Sequence, residues 1–352
     1  MKDAFLLDPG VVFLNHGSFG ACPRPVFAAY QRWQLEIERR PVEHLGLERR
    51  LPGLLEEARA ALAGYVGSSP ANLAFQPNVT VGLNAVARSL ELEPGDEVLV
   101  GDAEYGGMEL LWEHVRRSTG ATVARRPFAE LDPGPRTRVV FCSHVEWSTG
   151  RINDVAGLAE RACAGGALLV VDGAHAPGQI DLDLEALGAD VYAGNCHKWM
   201  CAPKGSGFLW ARPGVQDLIE PAVVSWDWQD AASFPERHRW QGTRDPSAYL
   251  AVPSAIAFQE EHDWPTVRAR CHALLASLEL PFAPLTDAFA QMRGFRVDHP
   301  DPPRLQRRLR ERHRIEVPVA ETRQGWVLRV SVQAYNDEAD LEALRVALAA
   351  EL

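Results

Sequence analysis

From about residue 70 onward the chain alternates helical stretches with short apolar runs, and this alternation limits the fold more than any other feature. Thr80 to Leu90 has helical periodicity and leads through the turn Glu93-Pro94-Gly95-Asp96 into a strand at Glu97 to Val100. Met108 to Ser118 reads as helix, Ala121 to Arg125 and Arg138 to Ser143 as strands, and Val155 to Ala164 as helix. Ala167 to Val171 is apolar throughout, as a strand covered on both faces must be, and Leu184 to Leu187 is expected as a short helix. Val191 to Ala193 and Gly207 to Trp210 complete the set of strands. Such alternation predicts an α/β fold with a mainly parallel sheet flanked by helices. Ligands of these sheets bind beyond the carboxyl ends of the strands, so the residues just past each strand carry the functional information.

After Asp245 the pattern changes. Pro246 to Glu261 and Pro265 to Leu278 read as helices, short strands between 294 and 335 surround a helix at Arg304 to Arg314, and Glu338 to Leu352 closes the chain. This predicts a large domain over 15–250 and a smaller α+β domain over 251–352. Residues 1–14 form a segment expected to pack near the active site or the small domain. A chain of 352 residues is long enough for two such units.

Composition excludes several classes. A formal charge of −11 leaves no basic surplus for nucleic acid or an anionic membrane. The basic run from Arg304 to Arg314 is interleaved with Leu305, Leu309 and Ile315, which is the solvated face of an amphipathic helix. No charged leader with a following apolar run is present, and no apolar stretch reaches membrane-spanning length. The six cysteines lack metal-ligand or redox spacing and fit reduced thiols, so a cytoplasmic protein without a metal site is expected. Lysine occurs only as Lys2, Lys198 and Lys204 while arginine is abundant. Arginine replaces lysine as a surface charge but not as a nucleophilic amine, which draws attention to Lys198.

Three segments carry chemistry. Val170-Val171-Asp172-Gly-Ala-His175 places an acid at the end of a buried strand, where an unpaired carboxylate is costly. Gly194-Asn195-Cys-His197-Lys198 ends the next strand with an amine. Asn78-Val79-Thr80 opens a helix whose free N–H groups form a phosphate seat, with Thr80 equally readable as a plain N-cap. Singly, each is more ordinary as a turn, a surface charge or a cap. Together, an acid, an amine and a phosphate seat on strand ends meet what pyridoxal phosphate demands: a carboxylate for the ring nitrogen, a lysine for the aldehyde and a helix N-terminus for the phosphate. No dinucleotide fingerprint, Walker loop or zinc-protease motif competes.

Asp172-Gly-Ala-His-Ala-Pro-Gly178, Gly194 to Lys198, Pro203-Lys-Gly-Ser-Gly207, the opening Leu14-Asn-His-Gly-Ser-Phe-Gly20 and the late Leu328-Arg-Val-Ser-Val-Gln-Ala-Tyr-Asn336 resemble, in order and over nearly the whole chain, the class V aminotransferase family of fold-type I pyridoxal-phosphate enzymes. Within it the likeness is greatest to the isopenicillin N epimerase-like group. The resemblance implies that Lys198 is the Schiff-base lysine and Asp172 the partner of the ring nitrogen, with His175 near the phenolic oxygen. It places Val79, Thr80, Asn195 and His197 around the phosphate and Tyr105 as the aromatic residue against the ring. Gly242 and Thr243, in Trp240-Gln-Gly-Thr243, would reach the phosphate site of a neighbouring subunit, so a homodimer with shared active sites is implied. Arg329 and Asn15 would contact the substrate, Arg329 through its α-carboxylate; the alternative for Arg329 is a structural ion pair.

Two departures bear on the substrate, an amino acid of unspecified side chain. Trp147 stands where many relatives carry a small or amide residue, and the stretch from Arg212 to Trp240 is short for this group. The implied activity is epimerisation or transamination of an amino acid after Cα deprotonation by Lys198. Tyr105 is the candidate donor to the opposite face. A rival is a C–S lyase acting on an S-substituted cysteine or its sulfoxide. Cysteine desulfurases need a mobile cysteine near the C-terminal strands, and none follows Cys271. A catalytically silent binding protein of the same fold is a further alternative, opposed by the joint presence of Lys198, Asp172 and Arg329.

Overall fold

The computed structural model describes residues 1–229 and 232–352. Its centre is a seven-stranded sheet of β1 (Leu73–Gln76), β2 (Glu97–Gly101), β3 (Thr122–Arg126), β4 (Thr137–Ser143), β5 (Leu168–Gly173), β6 (Val191–Asn195) and β7 (Gly207–Ala211). The strand order is β1-β7-β6-β5-β4-β2-β3. Only β7 runs against its neighbours, pairing antiparallel with both β1 and β6. The parallel set was expected; the reversal of β7 was not, because an apolar run has no direction.

The alternation of side chains explains why the sheet is covered on both faces. Val98, Val100, Val139, Phe141, Val170 and Leu209 pack into one core, and Leu99, Val140, Cys142, Leu169, Val171 and Trp210 into the other. The first core is roofed by α3 (Val79–Ser89) and α4 (Gly106–Thr119), preceded in the chain by α1 (Arg24–Arg39) and α2 (Leu51–Tyr65). Caps delimit several helices. Asp154 accepts from the Gly157 N–H at the start of α5 (Val155–Ala164), and Gly120 takes the left-handed conformation that ends α4.

Two expectations fail locally. Leu184 to Leu187 is a turn, with Asp183 accepting from the Ala186 N–H and Gly188 at φ +79° turning the chain directly after it. Pro246 to Glu261 is not one helix but Ser247–Leu250 followed by α6 (Val252–Glu261), broken at Ala251 where Pro253 occupies the first turn. α7 (Trp264–Ala276) follows.

The C-terminal part builds an antiparallel sheet in the order β9-β10-β8, from β8 (Met292–Arg296), β9 (Val319–Thr322) and β10 (Gly325–Ser331). Helices α8 (Pro302–His313) and α9 (Glu338–Glu351) pack together beside it. The N-terminal segment belongs to this region: Val12–Phe13 pairs parallel with Ile315–Glu316, and the Ser331 N–H donates to the Leu14 carbonyl at 2.9 Å. No helix of the described residues is long and apolar enough to cross a membrane.

Candidate active site

The carboxyl ends of β4, β5 and β6 lie side by side, with Ser143 in register with Asp172 and Asp172 with Ala193. Beyond them opens a cavity of about 470 Å³ whose walls include Thr80, Tyr105, Asp172, His175, Lys198 and Arg329. Because β7 is reversed, its start rather than its end reaches this edge, and Gly207 pairs with Asn195. The lysine loop between β6 and β7 therefore leaves and returns at the same rim.

Asp172 is buried and accepts from the Ala174 N–H at 2.8 Å. It has no ion-pair partner among the described residues. Burial raises its pKa, while the Ala174 N–H and the charge of Lys198 pull it back. A cationic N–H placed at the free oxygen supplies what this carboxylate lacks. The Lys198 amine lies 3.1 Å from His175 Nε2, and burial brings its pKa down to about 8, which enlarges the fraction present as a nucleophile.

At the start of α3 the cap is Asn78, whose Oδ1 accepts from the Val81 N–H at 3.0 Å. Thr80 is thus not the N-cap but lies inside the first turn, exposed on the cavity wall. Asn195 Oδ1 accepts from the Val79 N–H at 3.0 Å. With the flanking donors taken, the Thr80 N–H is the first-turn group left for an anion, joined by the Thr80 hydroxyl. Asn195 and Val79 bond to each other, so they shape this seat. His197 also lines the cavity; its Nδ1 lies 3.0 Å from the Ser206 carbonyl, and burial lowers its pKa to about 4. The donor set of Asp172, Lys198, His175 and Thr80 fits pyridoxal phosphate in charge and in hydrogen-bonding sense.

Arg329 is buried on the opposite wall. Its Nη1 donates to the Trp147 carbonyl at 2.6 Å, and its Nη2 donates to Asn15 Oδ1 at 3.1 Å and Ser18 Oγ at 2.9 Å. Its Nε has no partner among the described residues, and no carboxylate faces it there. Burial lowers its pKa to about 10. The structural ion pair weighed as an alternative is therefore absent among the described residues, and a buried cation held only by neutral acceptors is left facing the cavity. Asn15 orients the guanidinium and is itself held to Glu316 at 3.2 Å.

Tyr105 stands at the cavity mouth, 49% exposed, with its ring edge-on to Trp147 at 6.2 Å. Trp147 donates its indole N–H to the Glu104 carbonyl at 3.0 Å, which fixes it as part of the wall. Gly242 and Thr243 do not line the cavity of their own subunit, and Thr243 is exposed. The short stretch from Arg212 to Trp240 includes residues 230–231, which lie outside the described residues.

Two neighbours of the site were not singled out from sequence. Glu104 is buried with its carboxyl receiving both the N–H of Ser143 at 3.0 Å and its hydroxyl at 2.5 Å, and burial pushes its pKa up to about 8. The rule that selected Asp172, an acid just past a buried strand, applies to Glu104 as well. His16 lies 3.0 Å from both the Tyr335 hydroxyl and the Lys198 carbonyl, and burial drops its pKa to about 3. Its position inside Leu14-Asn-His-Gly-Ser-Phe-Gly20 was the available signal.

The sequence model of the family described as aminotransferase class-V matches residues 22–284. Isopenicillin N epimerase of Streptomyces clavuligerus is 39% identical, over 99% of this chain and 96% of that protein. Isopenicillin N epimerase of Amycolatopsis lactamdurans is 40% identical with the same coverage. Among solved structures, C-DES, a cystine C–S lyase, superposes with a TM-score of 0.85 at 24% identity in two forms, covering 97% of this chain and 97% or 98% of that one. One of them carries glycine covalently linked to the PLP cofactor.

Proposed function

The chain belongs to the class V aminotransferase family, and from that premise we propose that it is a pyridoxal-phosphate enzyme that epimerises an amino acid in the manner of isopenicillin N epimerase. The observation that carries the substrate half of this reading is Arg329, a buried guanidinium with no counter-charge among the described residues. Its open donors suit the α-carboxylate of an amino acid. Lys198 would hold the cofactor, Asp172 would serve its ring nitrogen, His175 its phenolic oxygen and Thr80 its phosphate. The bound cofactor supplies an electron sink for the bond broken at Cα.

The residues then divide the work. Arg329, steadied by Asn15 and Ser18, orients the carboxylate and so fixes which Cα bond faces the amine. Lys198 takes the Cα proton on one face, which its lowered pKa permits. Tyr105 is the candidate to return a proton on the other. Trp147 narrows the cavity and limits water. The half-exposed mouth and the outward position of Gly242 and Thr243 support a homodimer in which these residues complete the neighbour's phosphate seat. The division at about residue 250 and a cytoplasmic compartment, to which six free cysteines are suited, belong to the same reading.

The C–S lyase reading is the second, supported by the likeness to C-DES. Incubating the protein with an amino-acid panel in heavy water separates the two. α-Deuteration with inversion supports epimerisation, exclusive keto-acid release points to transamination, and pyruvate release from S-substituted cysteines to the lyase.

A further inference from the structure

Trp199 follows the cofactor lysine directly, and nothing in the reaction just described uses it. It is fully buried, its ring lies 5.0 Å from that of His16, and its carbonyl accepts from Gln259 Nε2 at 3.2 Å. Its indole N–H donates to His175 Nδ1 at 3.2 Å, while His175 Nε2 faces the Lys198 amine at 3.1 Å. These contacts make a continuous line from a residue behind the site to the reacting nitrogen.

We propose that Trp199 is a positioning residue that locks His175 in the Nε2–H tautomer, so that His175 can only donate into the site and Lys198 alone can take up the Cα proton. This rests on the reading of Lys198 as the cofactor-bearing base. An indole N–H donates and never accepts, so His175 Nδ1 must present its lone pair. A neutral imidazole has one N–H, which then sits on Nε2. A second proton would have to enter Nδ1 against the Trp199 N–H.

The surroundings oppose that second proton too. Burial lowers the His175 pKa well below the ordinary value, and the charge of Arg329 acts in the same direction. The nearest acid on its own strand end, Asp172, accepts from the Ala174 N–H. The lock has a consequence for the amine: an ammonium has three donors and no acceptor, so an Nε2–H directed at Lys198 is matched only by the unprotonated form. With the cofactor bound, the same N–H would be the donor available to its phenolic oxygen.

The test is long-range proton–nitrogen NMR of the holoenzyme labelled with ¹⁵N-histidine and ¹⁵N-tryptophan, with the His175 signals assigned by their loss in His175→Gln. The expected result is an Nε2–H tautomer unchanged across the ordinary histidine titration range, with a hydrogen-bond coupling between the Trp199 indole N–H and His175 Nδ1. In Trp199→Phe, Nδ1 should gain protonated character and titration should return. An Nδ1–H tautomer or a doubly protonated ring in the unsubstituted protein overturns the proposal, as does an unaltered tautomer in Trp199→Phe. The unsubstituted protein decides the question even where the variant does not fold. Absence of a visible cofactor band bleached by borohydride, with the tautomer as expected, would instead overturn the cofactor reading alone.

Discussion

Replacing Arg329 with methionine should nearly spare the fold while removing most of the activity. Burial lowers the guanidinium pKa from 12.5 to about 10. At about 1.36 kcal/mol per unit, the charged form is disfavoured in the fold by about 3 kcal/mol. The sign follows from linkage: the unfolded chain binds this proton more tightly, so the penalty is complete below about 10 and is relieved only as pH rises toward 12.5. Methionine removes the penalty at every neutral pH. Against this stand the lost bonds to the Trp147 carbonyl, Asn15 and Ser18. Each is worth about 0.5–1.5 kcal/mol, and more where an acceptor is left buried without a donor. The opposing contributions nearly cancel, so stability should stay within about 2 kcal/mol of the wild type, by the same reckoning. Losing the partner of a buried carboxylate costs about 2–5 kcal/mol, or about 30-fold to several-thousand-fold in kcat/KM. Thermal denaturation and steady-state kinetics on one preparation check both. A variant that unfolds readily yet turns over with unaltered kcat/KM would show Arg329 to be a structural group and refute the reasoning.

Three further outcomes are expected. Tyr105→Phe should reduce epimerisation by about 10²–10⁴-fold while sparing α-deuterium exchange by Lys198, and a variant that inverts substrate at the normal rate removes Tyr105 from the mechanism. Gly20→Ala should destabilise the protein by at least about 1–3 kcal/mol, read as a lower Tm, because φ is +71° and a Cβ would sit 2.1 Å from the His197 carbonyl oxygen; an unchanged Tm contradicts it. Glu104 has a folded pKa raised from 4.5 to about 8, so its contribution to stability is present below about 4.5 and lost as pH rises through about 8. Glu104→Gln should flatten that decline in denaturant titrations run across the interval, and an identical pH profile would show that Glu104 does not titrate there.

The site was legible where a single residue type sits at the end of an unmistakable strand. Asp172 is the penultimate residue of β5 and Lys198 lies three residues past β6, and the apolar runs of these strands leave little freedom in where they end. Legibility failed where residue type alone leaves two readings and only a particular bond decides between them. Thr80 and Asn78 are both good caps by type, and only the bond of Asn78 to Val81 tells them apart. The reversal of β7 left no mark, because burial on both faces makes its five residues apolar in either direction. Glu104 was passed over beside Tyr105, whose aromatic ring was the more conspicuous candidate. For Arg329 the sequence left two meanings open, and the choice required seeing that only neutral acceptors surround it among the described residues.

The N-terminal segment has a bearing on how the enzyme comes into being. Asn15 and Ser18 bond Arg329, and His16 contacts both Tyr335 and the Lys198 carbonyl, across more than three hundred positions of chain in every case but the last. During synthesis Asn15, His16 and Ser18 must therefore wait for Arg329 and Tyr335 before they find these partners. The central sheet can form before Arg329 is made, but the bonds of Asn15 and Ser18 to Arg329 cannot. A nascent chain halted before β10 lacks Arg329, so Asn15 and Ser18 are left without that partner. The bonds that hold Arg329 thus assemble only after both ends of a span of more than three hundred residues have been made.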